Sequence, residues 1–242
     1  MEGTREDVFK EIDTWIDDFE LPNILWIEGF PGTGKSAIAM SAMNQLTLYC
    51  RLGSAFFKRD NATQKTAAAL WRCVASDLAH RYPCIESVIV KKLRDHEVDP
   101  SKADARLLFE HLIAAPFDSC SKHDIPKDRL PVLIVDALDE CGGLEGPQSR
   151  DREWLLDTIA RWSQLPPSFK LIVTSRNEVD IRSKLVSLKH IPLTLRTGPD
   201  REQQIYQDIK AYLTSRFTSI ARHYPSLSST WPGSSRSAVR AR

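Results

Sequence analysis

The feature that most constrains this chain is an apolar run, Ile24-Leu25-Trp26-Ile27, that passes into Glu28-Gly29-Phe30-Pro31-Gly32-Thr33-Gly34-Lys35-Ser36 and then into Ala37-Ile38-Ala39-Met40. The middle part reads Gly-x-x-x-x-Gly-Lys-Ser, a P-loop pattern, with a strand signal before it and a helix signal after it. Gly29, Gly32 and Gly34 carry no Cβ, so backbone N–H groups can turn inward and approach an anion closely. A helix starting near Gly34 adds its unpaired N-terminal amides and the positive end of its dipole. Lys35 can then reach terminal phosphates, and the Ser36 hydroxyl is placed to ligate Mg²⁺. The predicted polyphosphate cradle is Gly29, Pro31, Gly32, Thr33, Gly34, Lys35 and Ser36.

Such a loop needs an acid at the tip of a nearby buried strand. Pro131-Val132-Leu133-Ile134-Val135-Asp136 is an apolar run ending in a carboxylate, the pattern of a parallel strand covered on both faces. Asp136 is expected to hold Mg²⁺, directly or through water, beside Ser36. Ala137-Leu138-Asp139-Glu140 follows, and its two carboxylates offer a base that can orient and polarise an attacking water. Glu140 is the first candidate and Asp139 the second; the alternative is that the pair only caps the Gly142-Gly143 loop. Residues 169–176 read as another buried strand, ending in Thr174-Ser175-Arg176. In a parallel sheet that end shares the edge of the P-loop, where Arg176 could sense a γ-phosphate in cis. A surface arginine in a turn is the competing reading.

Other chemistries fit less well. Asp139-Glu140-Cys141-Gly142 satisfies Asp-x-x-Gly, but the strand-tip acid is Asp136 and no Asn-Lys-x-Asp guanine-reading motif occurs. No Gly-x-Ser-x-Gly elbow is present. A small-molecule kinase would need an acceptor site and a basic lid. The only basic cluster near the site edge is Lys58-Arg59, read as a solvated loop, with a phosphate or partner contact as the alternative.

A chain of 242 residues, 42% hydrophobic, can bury one α/β core. Its net charge of +1 argues for neither nucleic acid nor a membrane surface. No run approaches the roughly 18 apolar residues of a membrane helix. The polar, acidic start is no secretory signal, so a cytoplasmic location is expected. Cys50, Cys73, Cys84, Cys120 and Cys141 are scattered and read as core or surface thiols. The histidines show no metal-ligand spacing. The sequon Asn61-Ala62-Thr63 has no consequence in a cytoplasmic chain.

Periodicity predicts helices over residues 4–19, 35–50, 66–82, 85–93, 102–115, 154–165, 181–188 and 205–217, and strands over 24–28, 53–57, 131–136, 169–176 and 190–195. The helical stretch between the second and third strands is long for a simple crossover, the mark of an elaborated fold. Residues 1–20 are expected to pack as a helix on the core. Residues 225–242, rich in Ser, Pro and Arg, are expected to be a disordered tail, in which Arg236, Arg240 and Arg242 supply only a weak phosphate attraction.

Together these motifs resemble the NACHT domain, a family of signal-transducing P-loop ATPases of the STAND class, and within it the fungal nephrocystin-like subgroup. The resemblance rests on residues 24–36, Ser54-Ala55-Phe56-Phe57-Lys58-Arg59, Val135-Asp136-Ala137-Leu138-Asp139-Glu140-Cys141 and Leu171-Ile172-Val173-Thr174-Ser175-Arg176. The Asp-Ala-Leu-Asp-Glu segment is the most specific part. What the resemblance implies is a three-layer α/β P-loop NTPase fold over residues 21–224, with a mainly parallel five-stranded sheet flanked by helices. The Thr174-Ser175 strand would lie between the P-loop strand and the Asp136 strand. It further implies ATP/ADP and Mg²⁺ as cofactors, and slow hydrolysis used as a switch between an ADP-bound closed state and an ATP-bound state that self-associates. Its setting would be a fungal NLR-like protein in non-self recognition or cell-death signalling, with protein partners and no nucleic acid. A nucleotide-binding scaffold with little turnover, or a small-molecule P-loop kinase, are the alternatives. The family's usual effector domain, winged helix and repeats have no counterpart in this sequence, so a truncated form or a fragment lacking the domain that clamps ADP is expected.

Overall fold

Long apolar runs are accommodated in a parallel sheet whose two faces are both covered. The computed structural model, which describes residues 5–57, 66–120, 125–141, 149–195, 206, 210, 213–218 and 220–223, puts them there. Among the described residues, β1 (Ile24–Gly29), β2 (Leu52–Phe56), β3 (Val132–Val135), β4 (Lys170–Ser175) and β5 (Ile191–Leu195) form one sheet in the order β2-β3-β4-β1-β5. Every pairing is parallel. β4 lies between β1 and β3, as the family resemblance implies. Each strand boundary falls within about one residue of the predicted one. All of β3 and β4 is buried, whereas β5 buries Leu193 and Leu195 and exposes Pro192 and Thr194. That alternation suits an edge strand, the one sheet position that tolerates a proline without breaking a central ladder.

The helices are α1 (Glu6–Asp17), α2 (Lys35–Leu48), α3 (Ala67–Arg81), α4 (Pro83–Arg94), α5 (Ala105–Phe109), α6 (Ala115–Ser119), α7 (Arg150–Trp162) and α8 (Val179–Val186). α3, α5 and α7 start at side-chain caps, whereas α2, α4, α6 and α8 do not. The Thr66 hydroxyl accepts from Ala69 N at 3.1 Å, and Asp104 accepts from Arg106 N and Leu107 N at 2.9 and 3.0 Å. Such caps satisfy amides that have no partner within the helix. The helix predicted over residues 102–115 differs in detail. Asp104 delays its start, and a π turn, Glu110–Ala114, separates α5 from α6 just ahead of Pro116, which has no N–H to donate. α7 begins at Arg150 and not at Trp154, because Ser149 supplies the cap, accepting from Arg152 N at 3.0 Å. Trp154 is half-buried, with the Arg106 guanidinium 5.2 Å from its ring centroid.

The helical insertion builds its own aromatic core against α7. Trp71 meets Phe109 edge-on with centroids at 4.8 Å, and Phe117 stacks on Phe169 at 4.0 Å and meets Trp162 edge-on at 5.7 Å. The buried indole N–H groups are satisfied, Trp71 Nε1 by Thr158 Oγ1 at 2.9 Å and Trp162 Nε1 by Phe169 O at 3.0 Å. Buried Asn23, just before β1, donates through Nδ2 to Trp162 O and Leu165 O at 2.9 and 3.1 Å, capping carbonyls at the end of α7.

At the opposite end of the sheet from the P-loop, Lys170 is fully buried. Its Nζ donates to Asp18 O at 2.7 Å and lies 4.9 Å from the Trp15 ring centroid. Burial pushes its pKa down to about 8 from 10.5. Below about pH 8 the ammonium is charged in both the folded and unfolded states, and the folded state bears the desolvation. Between about 8 and 10.5 the folded chain has released a proton that the unfolded chain retains, so stability rises with pH across that window. Thermal melts at pH 7.5 to 10 should therefore show the wild type gaining on Lys170→Met as pH rises; parallel curves would remove Lys170 as the cause.

By its internal contacts the chain divides into two units, residues 11–196 and residues 1–10 with 197–242. The sheet belongs to the first. In the second, residues 206, 210, 213–218 and 220–223 are helical, past the predicted end at Phe217, and Leu213 and Phe217 are exposed. Ile205, Ile209, Lys58, Arg59, Gly142, Gly143 and residues 225–242 lie outside the described residues, as does Thr4. Among the described residues no helix is long and apolar enough to cross a membrane.

Candidate functional site

The sheet order sets the C-terminal ends of β1, β4 and β3 side by side, the edge where parallel sheets place ligands. Residues 29–36 follow β1, Arg176 follows β4 and Asp136 follows β3. The loop enters α2 through Gly34, the helix N-cap, at φ 88° and ψ 19°, with Gly32 at φ 80°. Side chains rarely adopt that backbone region. Gly29 is required for a different reason: a Cβ there would stand 2.8 Å from Thr33 Oγ1 and 3.1 Å from Leu195 O. Thr33, itself buried, folds back and donates through N and Oγ1 to Phe30 O at 3.3 and 2.9 Å. Pro31 and Ser36 are exposed. The first turn of α2 holds no acidic side chain, so nothing on the helix offsets the positive field of its free amides.

Lys35 Nζ donates to Gly29 O at 2.7 Å and Phe30 O at 3.0 Å, which holds the ammonium against the loop backbone. Burial lowers its pKa; Asp139 raises it, Arg176 lowers it, and Asp136 and Glu140 raise it by smaller amounts. The predicted cation, acids and sensor thus act on one another across one edge.

Asp136 is buried, and its Oδ1 accepts from Thr174 Oγ1 at 2.6 Å. The same hydroxyl oxygen accepts from Ala137 N at 2.9 Å. A single side chain from β4 therefore holds both the strand-tip acid and the first residue beyond it. Ala137 sits in the left-handed region, φ 55° and ψ 53°, a conformation that costs a non-glycine residue on the order of 1 kcal/mol. This reversal starts a short 3₁₀ turn, Leu138–Glu140, which directs Asp139 at Arg176. Asp139 Oδ1 accepts from Arg176 N at 3.0 Å, and Oδ2 lies 3.2 Å from Arg176 Nε. Glu140 Oε1 lies 3.4 Å from Arg176 Nη2. Arg176 is a half-exposed cation held by both candidate carboxylates.

The Thr174-Ser175 hydroxyl pair splits between the two faces of its strand. Ser175 Oγ accepts from the Trp26 indole at 2.8 Å, away from Asp136. Cys141, just beyond the turn, is buried, and that burial pushes its thiol up to about 12; it stays protonated and is no nucleophile. The bridging part of Thr174 and the buried Arg152 beneath the 3₁₀ turn were missed by sequence reasoning. Arg152 did leave a signal: it occupies an inward position of the stripe continued by Leu155, Leu156 and Ile159.

The donor set suits a nucleotide-bound divalent cation. Ser36 and Asp136 would offer hard oxygens, of which Mg²⁺ takes one or two while completing its shell with phosphate and water. Among the described residues no group of three His, Cys, Asp or Glu side chains could hold a metal ion by itself.

The family model described as Nephrocystin 3, N-terminal, matches residues 3–176, from before α1 through Arg176. Over 239 residues the chain is 28% identical to the vegetative incompatibility protein HET-E-1 of Podospora anserina, a match covering 91% of this chain and 16% of that protein. The chain thus spans less than a fifth of that relative's length. Among solved structures it is similar to the Walker-type ATPase PABY2304 of Pyrococcus abyssi, at 14% identity and a TM-score of 0.48, covering 86% of this chain and 60% of that one. A chain of the HORMA:CdnC:Trip13 complex of E. coli MS115-1 matches at 12% identity and a TM-score of 0.33, covering 87% of this chain and 59% of that one.

Proposed function

The chain belongs to the Nephrocystin 3, N-terminal, family and has a NACHT-like P-loop NTPase core; from that premise we propose that it is an Mg-ATP-binding switch that hydrolyses ATP slowly. The observation that carries this reading is the hydrogen-bonded chain Asp136–Thr174–Ala137 and the ion pairs of Asp139 and Glu140 with Arg176, all on the edge that bears Lys35. Gly29, Pro31, Gly32, Thr33 and Gly34 form the phosphate cradle, and Lys35 moves from its backbone carbonyls to the β- and γ-phosphates. Ser36 and Asp136 would hold Mg²⁺, which would supply charge neutralisation on the phosphate oxygens. Glu140, with Asp139 as second choice, orients and deprotonates a water. Arg176 exchanges a carboxylate partner for the γ-phosphate, so its position reports whether the nucleotide is a tri- or diphosphate.

The name of the Podospora relative, vegetative incompatibility protein, motivates a place for this switch in non-self recognition or cell-death signalling, through self-association or a protein partner in the cytoplasm. A second reading, a nucleotide-binding scaffold with little turnover, draws on the Glu140–Arg176 contact, which ties up the candidate base. Calorimetric titration with ATP and ADP, with and without Mg²⁺, alongside phosphate release, separates the two. Mg²⁺-dependent release after binding supports the switch, binding without release supports the scaffold, and no binding of either nucleotide overturns both.

A further inference from the structure

The least exposed charged side chain near the site is Arg152 of α7, at 2% relative exposure. Its Nη1 donates to Leu138 O at 2.8 Å and to Cys141 O at 3.0 Å, the two carbonyls that bracket Asp139 and Glu140. On the other side, its Nη2 donates to Glu178 Oε2 and its Nε to Asp180 Oδ2, each at 2.9 Å, at the start of α8 and two and four residues past Arg176. One planar guanidinium therefore ties the turn that bears the carboxylate pair to the segment that bears their cationic partner. Stability alone does not account for it, since a buried ion pair is often no more stabilising than apolar side chains of the same volume. What the fork geometry adds is a fixed spacing between two backbone segments.

We propose that Arg152 is a positioning residue of this site: it holds the Asp139–Glu140 turn at a set distance from Arg176 and thereby sets how sharply the site separates ATP from ADP. This rests on the nucleotide reading given above. Arg152 touches no phosphate; it acts through Arg176 and the carboxylates.

The substitution Arg152→Lys keeps the buried charge but not the fork, because an ammonium cannot reach two carbonyls and two carboxylates at once. In the full chain, titrated with MgADP and with the slowly hydrolysed analogue ATPγS, it should leave ADP affinity within about threefold while the ratio of ATPγS to ADP affinity falls about tenfold. The KM for ATP hydrolysis should rise by a similar factor, because KM approaches Kd when the chemical step is slow. In an Arg176→Gln background the same Arg152→Lys change should shift the ratio by no more than about twofold, because the residue through which it acts is gone. Parallel loss of ADP and ATPγS affinity, or an undiminished Arg152 effect in that background, would overturn the inference. If Arg152→Lys does not fold, Asp180→Asn loosens only the α8 side and should shift the ratio in the same direction; an unchanged ratio overturns the inference. A wild type that binds ATPγS and ADP equally overturns it while leaving the nucleotide site standing. A wild type that binds neither overturns the site reading itself.

Discussion

Lys35→Ala should weaken the binding of both MgATP and MgADP by about 100-fold, the loss expected when a charge-assisted contact to phosphate worth roughly 3 kcal/mol is removed. The fold should survive the change. Lys35 is only partly buried, and its hydrogen-bond partners in this structure, Gly29 O and Phe30 O, are loop carbonyls that water can satisfy. The depression of its pKa by burial sharpens the expectation: the site bears the desolvation of an ammonium that a bound polyphosphate would offset. Titration calorimetry, with thermal melting as a control, gives the answer. Unchanged affinity would mean that Lys35 stays on its carbonyls and that the cradle holds phosphate through backbone amides alone. Loss of affinity together with a large fall in melting temperature would assign Lys35 to loop structure.

Glu140→Gln should lower ATP turnover by about 100- to 10,000-fold, the span expected for a general base, while nucleotide affinity stays within about threefold. The isosteric amide keeps an oxygen where Arg176 reaches Glu140 Oε1 at 3.4 Å, so the turn keeps its geometry while basicity is removed. Asp139→Asn is the necessary comparison. Asp139 is the more deeply buried of the two and accepts the Arg176 backbone N–H as well as facing its guanidinium, which makes it the better anchor and the poorer base. A larger loss of turnover in Asp139→Asn, with Glu140→Gln near wild type, would reverse the two roles.

Much of the fold was legible because its determinants are local. Ile24-Leu25-Trp26-Ile27 and Val132-Leu133-Ile134-Val135 are apolar without alternation, and such runs require a strand covered on both faces. The glycine spacing before Lys35 needs a loop that can adopt positive φ, and Gly32 and Gly34 do so. The order of strands was another matter. Periodicity says nothing of which strand neighbours which, and the place of β4 between β1 and β3 came from the family resemblance alone. Helix starts were misjudged where a polar side chain supplied the signal: Ser149 opens α7 inside the charged stretch Arg150-Asp151-Arg152-Glu153, which reads as solvent-facing although one of its arginines is buried.

The sequence alone determined where the glycine loop, its lysine and the strand-tip acid lie, because residue type and short-range spacing dictate backbone freedom, charge and burial at those points. Only the tertiary structure decided what holds them in relation to one another. Thr174 reaches Asp136 and Ala137 N because β4 and β3 are neighbours. Ala137 takes a left-handed turn that no alanine signals in advance. Arg176 meets both carboxylates, and Arg152 spans the two segments that carry them, through contacts between residues far apart in the chain. Hydrogen bonds of this kind depend on which strands pack side by side, and that is decided by burying the whole sheet at once, not by any short window of residues.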